Sequence, residues 1–150
     1  MRALLQRVTR AEVRVDGSPV AAIGRGLAIL LGVGHVDSDA IADALARRVA
    51  ELRVFEDDAG RTNRSLLDVQ GEAIVVSQFT LYADTSRGRR PGFTAAAEPA
   101  IAERRYERFA AGLRAAGVRR VEIGRFGAIM TLELVNHGPF TIWLDSAERG

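Results

Sequence analysis

A polar cluster, Ser77-Gln78-Phe79-Thr80-Leu81, follows directly on the short apolar run of residues 74–76. Loops at the ends of buried strands commonly expose backbone N–H groups and hydroxyls toward a ligand. Such N–H groups can stabilise the oxyanion that develops during the hydrolysis of an ester. Taken alone, this strand-end motif (residues 77–81) is more typical of hydroxyls that complete the hydrogen bonding of a strand terminus.

A second cluster, Asn136-His137-Gly138-Pro139-Phe140-Thr141, separates two alternating apolar patterns at residues 131–135 and 140–144. Asn, Gly and Pro are the usual residues of tight turns, so this Gly-Pro motif (residues 136–141) predicts a turn between two strands. The sequence does not assign the cis or trans isomer of the Gly138-Pro139 bond.

Several kinds of catalytic site are excluded by what the sequence lacks. There is no cysteine and no Gly-x-Ser-x-Gly nucleophile elbow, and Gly24-Arg25-Gly26 lacks the spacing of a nucleotide-binding loop. The two histidines, His35 and His137, fall at predicted strand ends without carboxylates at metal-binding spacings. We therefore expect no metal, no other cofactor and no Ser-His-Asp triad.

The composition is that of an ordinary globular protein, with 47% hydrophobic and 27% charged residues. All 21 basic residues are arginine, but a formal net charge of +2 does not by itself indicate a nucleic-acid-binding protein. The N-terminal segment is charged from Arg2 onward, and the longest apolar run, residues 27–33, has the length of a strand. These features predict a soluble cytoplasmic protein with no membrane partner.

Two amphipathic helices are predicted from apolar residues that recur at helical spacing. The first covers residues 39–52, with Asp37 or Ser38 as its cap. The second begins after Glu98, carries Pro99 in its first turn and ends near Gly117. The apolar positions are Ile41, Leu45, Val49 and Leu52 in the first helix and Ala102, Tyr106, Phe109 and Leu113 in the second.

Most of the remaining chain is predicted to form strands, at residues 12–15, 19–23, 27–33, 73–76, 131–135 and 140–144. Asp16-Gly17 is a turn signal between the first two of these strands. The predicted order is β-β-β-β-α-β-α-β-β-β. It indicates a single layered α/β domain over residues 1–150, with antiparallel or mixed sheets and two helices packed on one side.

An irregular basic segment, Thr85-Ser86-Arg87-Gly88-Arg89-Arg90-Pro91-Gly92-Phe93, lies between the strand-end motif and the second helix. Its composition is typical of a solvated loop. A second interpretation is a mobile loop that contacts phosphate, because arginine forks bind phosphate and glycine lets the backbone approach.

Together the two motifs resemble the paired signature of the D-aminoacyl-tRNA deacylase family, Ser-Gln-Phe-Thr-Leu with Asn-x-Gly-Pro-x-Thr. The resemblance extends over essentially the whole chain. It includes Leu5-Gln6-Arg7-Val8, Arg89-Arg90-Pro91-x-Phe93 and Gly124-Arg125-Phe126-Gly127-Ala128-Ile129-Met130. Two motifs at this separation are far more specific than either one.

The resemblance implies a homodimer with active sites at the subunit interface, where a cis Gly-Pro element reaches into the partner's site. Gly138 and Pro139 would present main-chain groups to the α-carbon and amino group of the substrate, with Asn136 in the same substrate-binding set. Arg7 would help to hold this element, and Met130 would form part of the pocket wall. Ser77, Gln78, Phe79 and Thr80 would line the catalytic pocket for the 3′-terminal adenosine and its ester.

The implied substrate is aminoacyl-tRNA, and DNA is not an expected partner. Rigid backbone atoms can reject any L side chain by steric clash, so D-aminoacyl-tRNA and glycyl-tRNA would be hydrolysed and L-aminoacyl-tRNA spared. Thr80 could act as a nucleophile, but no histidine or lysine close in sequence would activate it. We favour a second route, in which N–H groups near Phe79 and Thr80 hold the oxyanion and the 2′-hydroxyl of the terminal ribose helps to activate water.

Three positions depart from the usual family pattern. His137 occupies the variable position of the Gly-Pro motif, where an acidic or small polar residue is common, and we expect it to face solvent. Gly92 replaces a frequent serine, and Ile129 stands where another hydrophobic residue or Asp is frequent. Only His137 is close enough to the Gly-Pro element to bear on pH dependence or tRNA preference.

Three alternatives remain open at this stage. The nearest is a related editing deacylase that uses a trans Gly-Pro element and clears L-alanine from tRNA, although Ser77-Gln78-Phe79 favours the D-specific branch. The second is a non-catalytic dimeric RNA-binding module, for which no aromatic RNA-recognition motif is present. The third is a purely structural interaction protein.

Overall fold

A computed structural model describes residues 1–148. Arg149 and Gly150, which the predicted domain of residues 1–150 includes, lie outside the described residues. The elements in chain order are β1 (Arg2–Val15), β2 (Ser18–Ile23), β3 (Gly26–Gly32), α1 (Asp39–Glu51), β4 (Phe55–Glu56), β5 (Thr62–Arg64), β6 (Glu72–Ser77), a 3₁₀ helix (Phe79–Tyr82), α2 (Pro99–Ala115), β7 (Arg120–Ile123) and β8 (Thr131–Asp145). This arrangement confirms the predicted α/β class.

The main sheet is mixed, with the order β2-β1-β3-β6-β7 and with β8 added along β1. Strand β1 pairs antiparallel with β2, β3 and β8, whereas β3–β6 and β6–β7 are parallel. Parallel neighbours need a crossover, and α1 and α2 lie in the two crossovers of this sheet. Strand β3 is buried along most of its length, as its continuous apolar run predicts.

Strand β1 is long because it serves two parts of the sheet. Its first half pairs with β3 and its second half with β2, while β8 runs beside both. The register with β8 shifts between Val8 and Arg10, where Thr9 and Arg10 are exposed. Two hydrophobic clusters result, one shared by both helices and the sheet, the other built around Val8, Val13, Ile23 and Ile74.

Both predicted helices are confirmed, and both pack against the first of these clusters. The hydroxyl of Ser38 caps α1 by accepting a hydrogen bond from the Ile41 N–H at 3.3 Å. Leu45 and Val49 are buried, and small alanines fill most of the remaining buried face of α1. All four predicted apolar positions of α2 are buried. Neither helix in residues 1–148 combines the length and hydropathy needed to cross a lipid bilayer.

The strand prediction was wrong in three places. Residues 131–135 and 140–144 form one strand, β8, because pairing with β1 resumes on both sides of the Gly-Pro motif. Residues 12–15 are the far half of β1 rather than a separate strand. The β4–β5 hairpin was not predicted, since two or three residues per strand leave no recognisable alternation.

Candidate functional site

The strand-end motif places two unused N–H donors at the surface. Strand β6 ends at Ser77, and the chain turns at once into the 3₁₀ helix Phe79–Tyr82. The first N–H groups of a helix have no acceptor within it. Accordingly, the backbone N–H groups of Phe79 and Thr80 donate to no acceptor among residues 1–148. Both side chains are exposed, Phe79 by 54%.

The Thr80 hydroxyl has an amide as its neighbour. The Gln78 side-chain nitrogen donates a hydrogen bond to Thr80 Oγ1. An amide N–H is a donor and cannot take a proton from a hydroxyl. Among the described residues, no histidine or carboxylate is hydrogen-bonded to Thr80 Oγ1, so the contacts of this hydroxyl do not include a general base.

Two glycines allow the 3₁₀ helix to lie tightly on the end of β3. A Cβ atom at Gly32 would lie 3.0 Å from the Gln78 carbonyl oxygen, and one at Gly34 would lie 2.8 Å from the Tyr82 ring. Larger residues at either position would push the helix away from the sheet. The Gln78 N–H also donates to the Leu31 carbonyl oxygen at 2.8 Å, which fixes where the helix begins.

The Tyr82 phenol anchors the other end of the 3₁₀ helix. Its hydroxyl donates to the buried Asp37 carboxylate at 3.2 Å, and the Gly34 N–H donates to the same oxygen at 2.6 Å. Burial, and then the negative charge of Asp37, raise the pKa of Tyr82 above its ordinary value. The phenol therefore stays protonated and remains a donor to Asp37 at neutral pH.

Arg2 joins the 3₁₀ helix to β8. Its Nη1 donates to the Leu81 carbonyl oxygen and its Nε to Asp145, both at 2.9 Å, while the guanidinium lies 4.4 Å from the Tyr82 ring centroid. Burial alone would raise the pKa of the Asp145 carboxyl. Hydrogen bonds from the Ala147 N–H and from Arg2 outweigh burial and leave that pKa below its ordinary value, so the ion pair persists at neutral pH.

The Gly-Pro motif is an exposed projection within β8. The Asn136 side chain closes its base, because Oδ1 accepts from the Phe140 N–H at 2.8 Å and Nδ2 donates to Thr141 Oγ1 at 3.0 Å. The Gly138-Pro139 peptide bond is cis, and Gly138 has a φ of 137°. Both residues are exposed.

Arg7 holds this projection from beneath. The Arg7 side chain is only 6% exposed, its Nε donates to the His137 carbonyl oxygen at 3.0 Å, and its Nη1 donates to the Val54 carbonyl oxygen at 2.8 Å. The guanidinium also lies 4.6 Å from the centroid of the Phe140 ring. This is the contact between Arg7 and the Gly-Pro motif that the sequence analysis expects.

A cavity of about 240 Å³ opens beside Arg7. Its lining includes the side of the Gly-Pro motif at His137, and it combines basic, acidic and aromatic groups: Arg7, Val8, Thr9, Arg25, Phe55, Glu56 and His137. His137 is exposed, as expected.

Within one copy of the chain, the two motifs do not meet. The pairing register places the Gly-Pro motif beside Arg7, between the pairs Gln6–Thr141 and Val8–Asn136, in a row that continues through Leu27 of β3 to Ala73 of β6. Ser77 lies four residues farther along β6, and three strand-to-strand steps separate β8 from β6. At roughly 3.3 Å per residue and 4.8 Å per strand, the separation is about 13 Å along the strands and about 14 Å across them.

Met130 lies on the side of the strand-end motif. Its sulfur is 2.8 Å from where a Cβ of Gly124 would be, and the Gly124 N–H donates to the Val75 carbonyl oxygen at 2.9 Å. Val75 is two residues before Ser77 on β6. Met130 is half-buried there and also packs against the second hydrophobic cluster.

Three residues that hold the strand-end motif were missed in the sequence, namely Arg2, Asp37 and Tyr82. Their partners are distant along the chain, so only the glycines at 32 and 34, just after an apolar run, gave a local signal of close packing. Residues 1–148 contain no group of three or more His, Asp or Glu side chains placed to hold a metal ion.

The chain is similar to known proteins over nearly its whole length. A family model described as D-Tyr-tRNA(Tyr) deacylase matches residues 4–145. The chain is 60% identical over 148 residues to a D-aminoacyl-tRNA deacylase of Thermomicrobium roseum, covering 99% of this chain and 96% of that protein. It is 58% identical over 145 residues to a D-aminoacyl-tRNA deacylase of Ruegeria pomeroyi, covering 97% and 99%.

Two solved structures share the fold. One, described as c-Myc DNA Unwinding Element Binding Protein, is 40% identical with a TM-score of 0.91, covering 97% of this chain and 98% of that one. The other, described as a probable eukaryotic D-amino acid tRNA deacylase, is 19% identical with a TM-score of 0.80, covering 95% of this chain and 97% of that one. At this low identity the similarity shows a shared fold and nothing further.

The packing of Arg7 against Gly138 gives a testable prediction. A Cβ at Gly138 would lie 3.0 Å from both Arg7 Nη2 and the Phe140 nitrogen, whereas Gly127, with a φ of 75°, has nothing within 4 Å. Both Gly→Ala changes place a Cβ at a positive φ; the strain is about 1 kcal/mol near the φ of Gly127 and larger at the φ of 137° of Gly138. We expect Gly138→Ala to lower the free energy of unfolding by roughly 1 kcal/mol more than Gly127→Ala, in urea denaturation. Equal losses would show that Arg7 does not pack closely against Gly138.

Proposed function

The chain belongs to the D-Tyr-tRNA(Tyr) deacylase family, and we propose that it hydrolyses the ester bond of D-aminoacyl-tRNA to release free tRNA and a D-amino acid. The observation that carries the proposal is the family match over residues 4–145, which includes both motifs. We treat residues 1–150 as one catalytic domain without a cofactor. Its role would be chiral proofreading in the cytoplasm, where aminoacyl-tRNA serves translation.

The strand-end motif would hold the ester. The free N–H groups of Phe79 and Thr80 can donate to the oxyanion that forms when water attacks the ester carbonyl. Neither N–H group is hydrogen-bonded to an acceptor among residues 1–148, so both remain available as donors. Ser77, Gln78 and Met130 would form the wall of the pocket for the terminal adenosine.

Water, rather than Thr80, would be the nucleophile. The group hydrogen-bonded to Thr80 Oγ1 is an amide nitrogen, which cannot act as a general base. The 2′-hydroxyl of the terminal ribose lies next to the aminoacyl ester in any aminoacyl-tRNA and can assist the attacking water. Because an aminoacyl ester is already reactive, positioning and oxyanion stabilisation supply much of the required rate.

The Gly-Pro motif would read the stereocentre. Gly138 and Pro139 expose main-chain atoms on a base closed by Asn136 and held by Arg7. A rigid main-chain surface can bind the amino group of a D-aminoacyl ester and clash with every L side chain, whatever its chemistry. Glycine has no side chain to clash, so glycyl-tRNA would also be hydrolysed.

The active form would be a homodimer with a site at each end of the interface. In one copy, the Gly-Pro motif and the strand-end motif lie several strands apart, so a substrate ester held by the N–H groups of Phe79 and Thr80 is out of reach of Gly138. A second copy related by a two-fold axis would place its Gly-Pro motif against the strand-end motif of the first copy. The same symmetry would place the Gly-Pro motif of the first copy against the strand-end motif of the second. The exposure of Gly138, Pro139 and Phe79 leaves these surfaces available for such a contact.

The proposal is tested by a panel of charged tRNAs. We expect D-Tyr-tRNA and Gly-tRNA to be hydrolysed well above their spontaneous rates. L-Tyr-tRNA should be spared by a factor on the order of 100 or more, because its side chain would clash with a rigid surface. The measurement is release of labelled amino acid, with enzyme-free reactions as the control. A preference for L-Ala-tRNA would indicate the related editing deacylase, and tight RNA binding without any hydrolysis would indicate a binding module.

The role of the Thr80 hydroxyl is tested separately. Thr80→Ala should retain most of its turnover on D-Tyr-tRNA, within roughly threefold of the parent, because the backbone donor at residue 80 is unchanged. Substrate that ends in 2′-deoxyadenosine should react about 100-fold more slowly with both proteins. Thr62→Ala, at an exposed threonine of β5, is the matched control. Complete loss of turnover in Thr80→Ala with normal tRNA binding would identify Thr80 as the nucleophile.

A further inference from the structure

A short hairpin, residues 84–92, connects the strand-end motif to the second half of the chain. Its ends are tied by a mutual backbone pair, in which the Asp84 N–H donates to the Gly92 carbonyl oxygen at 2.8 Å and the Gly92 N–H donates back at 2.9 Å. Asp84 also caps the turn, since its carboxylate accepts from the Ser86 N–H at 2.9 Å. We call residues 84–92 the arginine hairpin.

The arginine hairpin presents three free cations. Arg87, Arg89 and Arg90 are exposed, and none forms a salt bridge or side-chain hydrogen bond with another residue in the range 1–148. Many arginines elsewhere are neutralised, as Arg108 is by Asp43 at 2.7 Å. The single carboxylate of the hairpin does not neutralise them. Hydrogen bonds from the Ser86 side chain and N–H hold the pKa of Asp84 below its ordinary value. The carboxylate thus bonds to Ser86 within the turn and not to one of the three arginines.

The hairpin is attached to the strand-end motif at both ends. It begins two residues after the 3₁₀ helix ends at Tyr82, and Phe93, the residue that follows it, packs edge-on against Phe79 with 4.9 Å between ring centroids. Arg90, Arg89 and Arg87 precede Phe93 by three, four and six residues, which span at most about 20 Å when fully extended. The three guanidinium groups therefore lie within a few nucleotides of the proposed ester position. Nothing lies within 4 Å of a Cβ built at Gly88, so a ligand can approach the tip.

We propose that the arginine hairpin binds the phosphodiester backbone of the single-stranded 3′ end of tRNA, immediately before the terminal adenosine. This inference rests on the proposed function and adds to it a substrate-binding surface. Guanidinium forks bind phosphate oxygens through paired charge-assisted hydrogen bonds and carry no base specificity. The hairpin would thus fix the register of the 3′ end whichever tRNA is bound, while the Phe79–Phe93 contact couples that register to the strand-end motif.

The test replaces the three cations and compares a matched control. The hairpin variant is Arg87→Gln/Arg89→Gln/Arg90→Gln. The control is Arg47→Gln/Arg48→Gln/Arg104→Gln, which removes the same charge from exposed helix positions that form no salt bridge among the described residues. Binding of uncharged tRNA is measured by filter retention at several salt concentrations. Turnover is measured on D-Tyr-tRNA and on 3′-O-(D-tyrosyl)adenosine, which has no phosphate.

We expect the hairpin variant to bind uncharged tRNA at least tenfold more weakly than the control variant. The slope of log affinity against log salt concentration should be shallower by about 2, because three single-strand phosphate contacts are lost and each contributes roughly 0.7 to the slope. KM for D-Tyr-tRNA should rise in parallel while kcat changes less than about twofold, and hydrolysis of the phosphate-free nucleoside ester should match the control.

Three results would overturn the inference. The first is tRNA binding and salt dependence equal to those of the control, which would make the segment a solvated loop. The second is an equal loss on the nucleoside ester, which would indicate a structural effect on the strand-end motif. The third is equally strong, equally hairpin-dependent binding of a duplex DNA of matched length. Because the binding assay uses uncharged tRNA, it remains decisive even if the parent protein hydrolyses neither ester, the result that would instead refute the proposed function.

Discussion

The buried guanidinium of Arg7 is the constraint on which the geometry of the Gly-Pro motif depends. Burying a charge costs several kcal/mol unless its hydrogen bonds are satisfied. Two main-chain carbonyl oxygens, of His137 and Val54, accept from Arg7, and Glu56 lies 3.9 Å from its Nη2. Since these acceptors belong to β8 and to the segment before β4, the guanidinium locks a projecting main-chain segment to the sheet. These contacts restrain the projection from its buried side, while His137, Gly138 and Pro139 stay exposed.

The other half of the proposed site is built by different means. The 3₁₀ helix packs on two glycines, Gly32 at the end of β3 and Gly34 two residues later, and Tyr82 and Arg2 fix it to Asp37 and β8. Close packing positions the N–H donors of Phe79 and Thr80. The buried charge of Arg7 positions the Gly-Pro motif. The two motifs lie at different rows of the same sheet, so within one copy the proposed ester-holding motif and the proposed reading motif cannot contact one substrate. This separation is the physical reason for proposing a dimer.

Much of this could be predicted from local patterns. Helix α2, with its proline start and its four buried apolar positions, follows from 3.6-residue periodicity, and the buried strands β3 and β6 follow from continuous apolar runs. The contact of Arg7 with the Gly-Pro motif was implied only by the family resemblance, because 130 residues separate the guanidinium from the His137 carbonyl oxygen.

Two of the three strand errors share one cause. Local patterns record alternation and turn residues, but not whether a neighbouring strand resumes pairing after an interruption. Asn-His-Gly-Pro has the composition of a turn, yet β1 pairs on both sides of it, so β8 continues. Likewise, the register shift at Thr9 hides that Leu5 and Val13 belong to one strand. Arg2, Asp37 and Tyr82 were missed because each is an ordinary surface residue type until tertiary packing brings them together.

The central claim is that one copy holds the ester while another reads its stereocentre, and complementation between two defective copies tests it most directly. Phe79→Pro removes one oxyanion donor, and the Gln78 backbone before it, with φ of −142° and ψ of 78°, lies outside the helical region that a following proline disfavours. Gly138→Ala disturbs the reading segment. Co-expression of the two inactive chains should restore about a quarter of the wild-type sites active on D-Tyr-tRNA, because half of the dimers are mixed and each has one intact site. Activity no greater than the mean of the two parent variants would contradict a site shared between copies.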